Sequence, residues 1–183
     1  MIWFTSDTHF GHDKEFIWKV RGFNSCEEMN ETIVERWNER VEDGDDVWHL
    51  GDIMLGSYDN ISYLVRLKGR IHIVYGNHDT FNRINLYNAA PNVVAAGWAD
   101  YQKINGYHFY MSHFPTITSN LEKESLKQCT LNLYGHTHQK TNFYLDYPFM
   151  YHVGVDSHDC TPVSIEQIIQ EMKEKVENCK SFL

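Results

Sequence analysis

Two short patterns raise the question of chemistry. Asp7-Thr8-His9 and His136-Thr137-His138 each carry a pair of oxygen or nitrogen donors one residue apart. Alternate side chains of an extended segment share a side, so each pair can converge on one ion. Other donors stand singly: Asp52 after Gly51, Asn77 and His78 after Gly76, and His113 after Ser112. The set holds carboxylates, a carboxamide and imidazoles, with no thiolate. Such donors suit Mn²⁺, Fe or Zn²⁺ in a catalytic setting rather than a cysteine-rich structural zinc site.

Each candidate follows a short apolar run. The run 2–6 leads to Asp7, 47–50 to Asp52, and 71–75 to Asn77 and His78. The run 107–111 leads to His113, and 131–134 leads to His136 and His138. These runs are rich in β-branched and aromatic residues and read as buried strands. Open α/β sheets bind ligands beyond the carboxyl ends of their strands. The candidates can therefore meet at one edge although they run from residue 7 to residue 138. Between the early strands, Ser25 and Glu28 form a capping box. It opens a helix with Met29, Ile33, Val34, Trp37 and Val41 on one face. Residues 58–68 predict a second helix, closed by Gly69. Further strands are predicted at 99–104, 107–111, 131–134, 142–145 and 149–153. Ser164 and Gln167 cap a last helix reaching about Asn178, with Ile165, Ile168, Ile169, Met172 and Val176 inward. The fold class is α/β: a two-sheet sandwich flanked by helices.

Composition narrows the classes. The chain has 183 residues, which fits one domain over 1–183. That length buries a core without help from disulfides or metals. With 42% apolar and 22% charged residues, wholesale disorder is excluded. No apolar run approaches about 18 residues, so no membrane helix is expected. The first residues lack a basic region, so no signal peptide is expected. Net charge is −9, which argues against an extended nucleic-acid surface but leaves room for a nucleotide in a metal-lined pocket. Cys26, Cys129, Cys160 and Cys179 have no CxxC spacing. They read as reduced thiols of a cytoplasmic protein. Monomer and homodimer are both open.

In order, Asp7-Thr8-His9, Gly51-Asp52, Gly76-Asn77-His78-Asp79, His113 and Gly135-His136-Thr137-His138 resemble the motifs of the calcineurin-like metallophosphoesterases. The resemblance runs from residue 2 to about residue 156. It is to the small, cap-less bacterial and phage type, and it takes in Val153-Gly154-Val155-Asp156. It implies the family's four-layer α/β/β/α sandwich and two divalent metal ions, with manganese favoured in vitro and iron or zinc as alternatives. One ion would be held by Asp7, His9, Asp52 and His138. The other would be held by Asp52, Asn77, His113 and His136, with Asp52 bridging. Two such ions about 3.5–4 Å apart repel, so a shared anion is required. The implied reaction is hydrolysis of a phosphate ester by metal-bridging hydroxide. A phosphodiester is slightly favoured over a phosphomonoester, and the substrate is a small phosphate ester or nucleotide. His78 would stabilise the transition state or protonate the leaving oxygen. The alternative is a non-catalytic metal- or partner-binding scaffold of the same fold, against which the intact motifs argue.

The chain departs from one relative's pattern. Protein Ser/Thr phosphatases of the superfamily continue the second motif as GDxxDRG, where the later Asp orients the catalytic His. Here Gly51-Asp52 is followed by Ile53-Met54-Leu55-Gly56-Ser57. That argues against a protein phosphatase and leaves His78 without an assigned orienter; Asp79 is the nearest acid in sequence. No insertion is long enough for a cap, so an open site is expected. His12 either faces a substrate or is ordinary loop polarity. Arg21 and Arg83 could grip a phosphate bidentately, although a solvated arginine is the favoured reading of each. His113 is preferred to His108 as a ligand because it lies past its strand end. His49 and His72 read as core histidines, His152 and His158 as loop or strand-edge residues, and Trp3, Trp18, Trp37 and Trp48 as core.

Overall fold

Four parallel strands, β1 (Ile2–Thr5), β2 (Asp46–His49), β3 (Arg70–Val74) and β4 (Val93–Gly97), build most of one sheet. Antiparallel β9 (Val163–Ser164) completes the order β4-β3-β2-β1-β9. The other sheet has the order β5-β6-β7-β8. Its strands are β5 (Ala99–Ile104), β6 (Tyr107–Ser112), β7 (Thr130–Tyr134) and β8 (Met150–His152). β5 is antiparallel to β6, and the rest are parallel. This computed structural model describes residues 1–118 and 125–180; the Cys179 side chain lies outside what is described.

Side-chain alternation explains the layering. Trp3, Val47, Ile71 and Ile73 pack with Met29, Ile33 and Trp37 of α2 (Cys26–Arg40) and Leu64 of α3 (Ile61–Val65). The alternate residues Phe4, Trp48 and Val74 pack with Phe109, Met111, Leu131 and Leu133 of the second sheet. Into this inter-sheet core α5 (Ile165–Lys180) sets Ile165, Ile168, Ile169 and Met172. Each such buried side chain contributes about 1.5–3 kcal/mol. The two cores therefore hold the molecule together, and the polar strand ends are free to be a site. The result is the predicted α/β sandwich: two mixed sheets with flanking helices. No helix among the described residues is long and apolar enough to cross a membrane.

The predicted caps are present, with one change. Ser25 Oγ accepts from the Glu28 amide at 3.1 Å. The Glu28 carboxylate takes the amide of Asn24, at 2.7 Å, rather than that of Ser25. At α5, the Gln167 amide reaches Ser164 Oγ at 3.2 Å.

Several expectations need correction. The stretch 58–68 is a 3₁₀ turn at Tyr58–Asn60 followed by the short α3. Its last groups bond to α2 instead of to their own helix: Trp37 Nε1 and Asn38 Nδ2 donate to the Lys68 and Arg66 carbonyls at 3.0 and 2.9 Å. Residues 142–145 do not form a strand. Only Phe143 bridges to Tyr151, and a 3₁₀ turn follows at Tyr144–Asp146. There Gln139 Nε2 takes the Thr141 and Phe143 carbonyls that a ladder would use. Elements absent from the sequence reading are α1 (Glu15–Trp18), α4 (Phe81–Ala89), β4 and β9. Trp18 is half-buried, not core, because it lies on the single exposed turn of α1. His152 and His158 do lie at a strand edge and in a loop, at the end of β8 and in the turn after it, yet both are buried. Their rings are taken up internally, by Ser157 Oγ at 2.8 Å and by the His152 carbonyl at 2.8 Å. His72 is half-buried, stacked on Trp48 with ring centroids 4.2 Å apart.

Candidate metal centre

The strand ends converge through backbone bonds. The Asp7 amide donates to the Gly51 carbonyl at 3.0 Å, and the Gly135 amide to the His113 carbonyl at 3.0 Å. The His136 amide reaches Asp7 Oδ2 at 2.9 Å and ties the two sheets together. To turn donors inward at these ends the chain enters the left-handed region. Asp7, His9, Asp52, His136 and His138 have φ of 58, 51, 57, 68 and 48°. Non-glycine residues seldom adopt this conformation, and it concentrates at functional sites. Two glycines permit the approach. A Cβ on Gly135 would collide with Ser6 Oγ and Asp7 Oδ2, and one on Gly76 with Asp52 Oδ1.

The donors form two groups around Asp52. On one side His9 Nε2 lies 3.7 Å from Asp52 Oδ2 and 3.9 Å from Asp7 Oδ1. His138 Nε2 lies 3.9 Å from the same Asp7 oxygen and 3.1 Å from His9 Nε2. On the other side His113 Nε2 lies 3.5 Å from Asp52 Oδ2 and 2.9 Å from Asn77 Oδ1. His136 Nδ1 is 2.8 Å from that Asn77 oxygen. His108 stands apart, bonded to Tyr101 on the exposed face.

These donors fit divalent cations. Asp7 Oδ1, the oxygen that faces His9 Nε2 and His138 Nε2, is buried without a hydrogen-bond partner. Orphaned polar atoms of this kind are costly unless an ion or water meets them. Asp7, His9 and His138 offer atoms all within 4.8 Å of one another, as do Asp7, Asp52 and His113. Second contacts orient the rings. His113 Nδ1 faces the Leu50 carbonyl at 2.8 Å, and His138 Nδ1 faces Asp156 Oδ2 at 2.8 Å. Both leave Nε2 towards the centre, a support that metal-binding histidines commonly have.

Without cations, the electrostatics oppose bringing these groups together. Burial raises the Asp7 and Asp52 carboxyls, against the lowering pull of nearby imidazoles. Burial pushes His9 well below its ordinary range, helped by the Arg21 charge. Burial would also lower His138, but its bond to Asp156 and the Asp7 charge raise it overall. Burial penalises Asp156 too, yet His138 and Arg21 hold it well below the usual carboxylate range.

The remaining predicted residues separate. His78 is at the rim, its side chain 47% exposed and Nε2 4.0 Å from Asp52 Oδ2. Asp79 does not orient it. Asp79 Oδ2 accepts from the Asp52 and Gly76 amides at 2.8 and 2.7 Å, and Oδ1 from Tyr87 at 2.9 Å. Asp79 instead clamps the loops after β2 and β3. Arg21 is not solvated: its side chain is 1% exposed and grips Asp156 through two bonds of 3.0 Å. It also donates to the Asp7 and Thr8 carbonyls, so it has no free face for a phosphate. Arg83 donates to the His78 carbonyl at 2.8 Å. His12 faces the cleft, its ring centroid 5.4 Å from that of His9. Sequence reasoning missed Asp156 as a support for His138. Its only signal was the Val153-Gly154-Val155-Asp156 segment.

Comparison with known proteins agrees with this geometry. The calcineurin-like phosphoesterase superfamily domain matches residues 1–155. The chain belongs to that superfamily, whose members are generally phosphoesterases that bind divalent metals. An uncharacterised protein of Methanocaldococcus jannaschii is 31% identical over 92% of this chain and 89% of its own. The gene 66 protein of Mycobacterium phage D29 is 29% identical over 94% of this chain and 98% of its own. Among solved structures, a protein of unknown function from Aquifex aeolicus shares the fold with a TM-score of 0.72. It is 23% identical and is covered over 98% of its length, against 93% of this chain.

Proposed function

We propose that this chain is a binuclear metal-dependent phosphoesterase. One observation carries the reading: a single carboxylate oxygen, Asp52 Oδ2, stands 3.7 Å from His9 Nε2 and 3.5 Å from His113 Nε2. A shared anion between two donor groups is what a pair of divalent cations needs. Asp7, His9, Asp52 and His138 would hold one cation, and Asp52, Asn77, His113 and His136 the other. When bound, the pair supplies Lewis acidity towards phosphate oxygens and a shared water of lowered pKa as nucleophile.

The chain's own groups do the rest. Asp7 and Asp52 only partly neutralise two dications, so an anionic phosphate is attracted. His78, exposed at the rim, donates a proton from its ring to the leaving oxygen. Asp79 fixes the Asp52 and Gly76 amides and so holds the turn that carries Asn77 and His78. Arg21 neutralises Asp156 and keeps a third carboxylate charge from repelling the substrate. A small phosphodiester is the favoured substrate, and a cleft of about 490 Å³ beside His9, His78 and His138 has room for one of its ester substituents.

The test is hydrolysis of bis(p-nitrophenyl) phosphate and p-nitrophenyl phosphate after EDTA treatment and Mn²⁺ add-back. The expected result is loss of turnover with EDTA, recovery with Mn²⁺, and preference for the diester. Two bound ions with no turnover of either ester would favour a non-catalytic scaffold instead.

A further inference from the structure

The cleft beside the centre has an unusual wall. His9, His12, His78 and His138 line it together with Phe16, Ile17 and Val20. Phe16 is 67% exposed and Val20 63% exposed. Exposed apolar side chains grouped against a cluster of ionisable groups indicate a ligand surface rather than incomplete folding. The wall is anchored from behind. Ile17 and Trp18 pack against the core beneath the first sheet. Arg21, just past α1, is fastened to the Asp7 and Thr8 carbonyls and to Asp156. Phe16 is thus held outward by its neighbours.

The aromatic groups form a path from the centre. The His9 and His12 rings lie 5.4 Å apart, and His12 meets Phe16 edge-on at 5.7 Å and 88°. A phosphate drawn to cations held by Asp52 and its partners would direct one ester substituent along this path. His78 lines the same cleft, so that substituent is the one whose oxygen is nearest a proton donor. Arg21 and Asp156, which also line the cleft, are paired with each other, so an apolar group placed there strips water from no unpaired charge. A bare phosphate would use little of the cleft.

Resting on the phosphoesterase reading above, we infer that α1 forms a specificity wall for an aromatic ester substituent. Phe16, with Val20 beside it, stacks on a planar group such as an aryl ring or a nucleobase. Aliphatic esters would reach the same phosphate position without that contact.

Calorimetric affinities of phenyl phosphate and methyl phosphate, measured with Mn²⁺ present, test this. Both probes carry the same phosphate and differ only in the group offered to α1. Phenyl phosphate should bind roughly tenfold more tightly than methyl phosphate to the unaltered chain. Phe16→Ala should collapse that ratio towards one, Phe16→Trp should keep it, and Val20→Ser should reduce it in part. Phe16 is exposed, so these variants keep the core intact. Equal affinities in the unaltered chain would overturn the inference. So would a phenyl preference that Phe16→Ala leaves in place. Binding is read without turnover: a chain that bound both probes but hydrolysed neither bis(p-nitrophenyl) phosphate nor p-nitrophenyl phosphate would count against the phosphoesterase reading, whereas one that hydrolysed esters without a phenyl preference would count against this inference alone.

Discussion

His113 and His138 turn the same nitrogen towards the centre, but different groups hold them. His113 is 1% exposed, and its Nδ1 bonds to the Leu50 backbone carbonyl. His138 is 35% exposed, and its Nδ1 bonds to a carboxylate, Asp156, itself gripped by Arg21. In the interior a neutral carbonyl suffices, because packing already immobilises the ring. Near solvent the ring has freedom to lose, and a charge-assisted bond limits it. The carboxylate also makes the imidazole more basic. One side of the site is therefore built into the backbone, and the other depends on two side chains that mutation can remove.

The largest effect should come from the residue common to both sides. Asp52→Asn should drop ester hydrolysis to background and weaken both ions together, as read by turnover and by metal analysis of the same sample. If two ions and full turnover survive, Asp52 is not shared.

A smaller effect should divide the two sides. Asp156→Asn should weaken one ion by roughly 10–100-fold and leave the other nearly unchanged. A calorimetric Mn²⁺ titration should then show two separated phases. Arg21 keeps the Asp7 and Thr8 carbonyls in this variant, so the fold survives. A single unchanged phase would mean that the carboxylate contributes no more than the carbonyl does on the His113 side.

The smallest effect concerns a histidine beneath the site rather than in it. Burial, with the His113 charge adding to it, lowers His49 from 6.5 to about 3. The folded chain thus resists a proton that the unfolded chain accepts. This contribution to stability is complete above pH 6.5 and is lost as pH falls towards about 3. The slope from His49 approaches about 1.4 kcal/mol per pH unit. His49→Leu should flatten it, and Thr8 Oγ1 would still donate to the Ile53 carbonyl at 2.9 Å. Urea midpoints at pH 7 and pH 5, in EDTA so that metal binding does not contribute, measure the difference. Equal slopes in the two proteins would refute the assignment.

Much of this was legible in the chain. Strands ending at Asp7, Asp52, Asn77, His113 and His136 were readable because buried strands carry dense β-branched and aromatic runs. The α2 face was readable because Met29, Ile33 and Trp37 repeat at helical spacing. β4 was not, because an edge strand of valine, alanine and glycine has little pattern. Nor was α3 drawn correctly, since its last carbonyls find partners on α2 that no local pattern reveals.

The sequence by itself determined the chemical vocabulary: oxygen and nitrogen donors, without thiolate, each placed after a strand. Periodicity and spacing are local properties, and they report which face or which end a residue occupies. Only the tertiary structure decided that Asp156 backs His138 and that Arg21 is buried in an ion pair, and it set the distances from Asp52 to His9 and His113 where the family resemblance implied only a bridge. It also decided that Asp79 clamps loops and that α1 sets Phe16 along the cleft beside the centre. Those relations join residues far apart in the chain. Sheet pairing, left-handed turns and packing set them, and no short stretch of sequence contains that information.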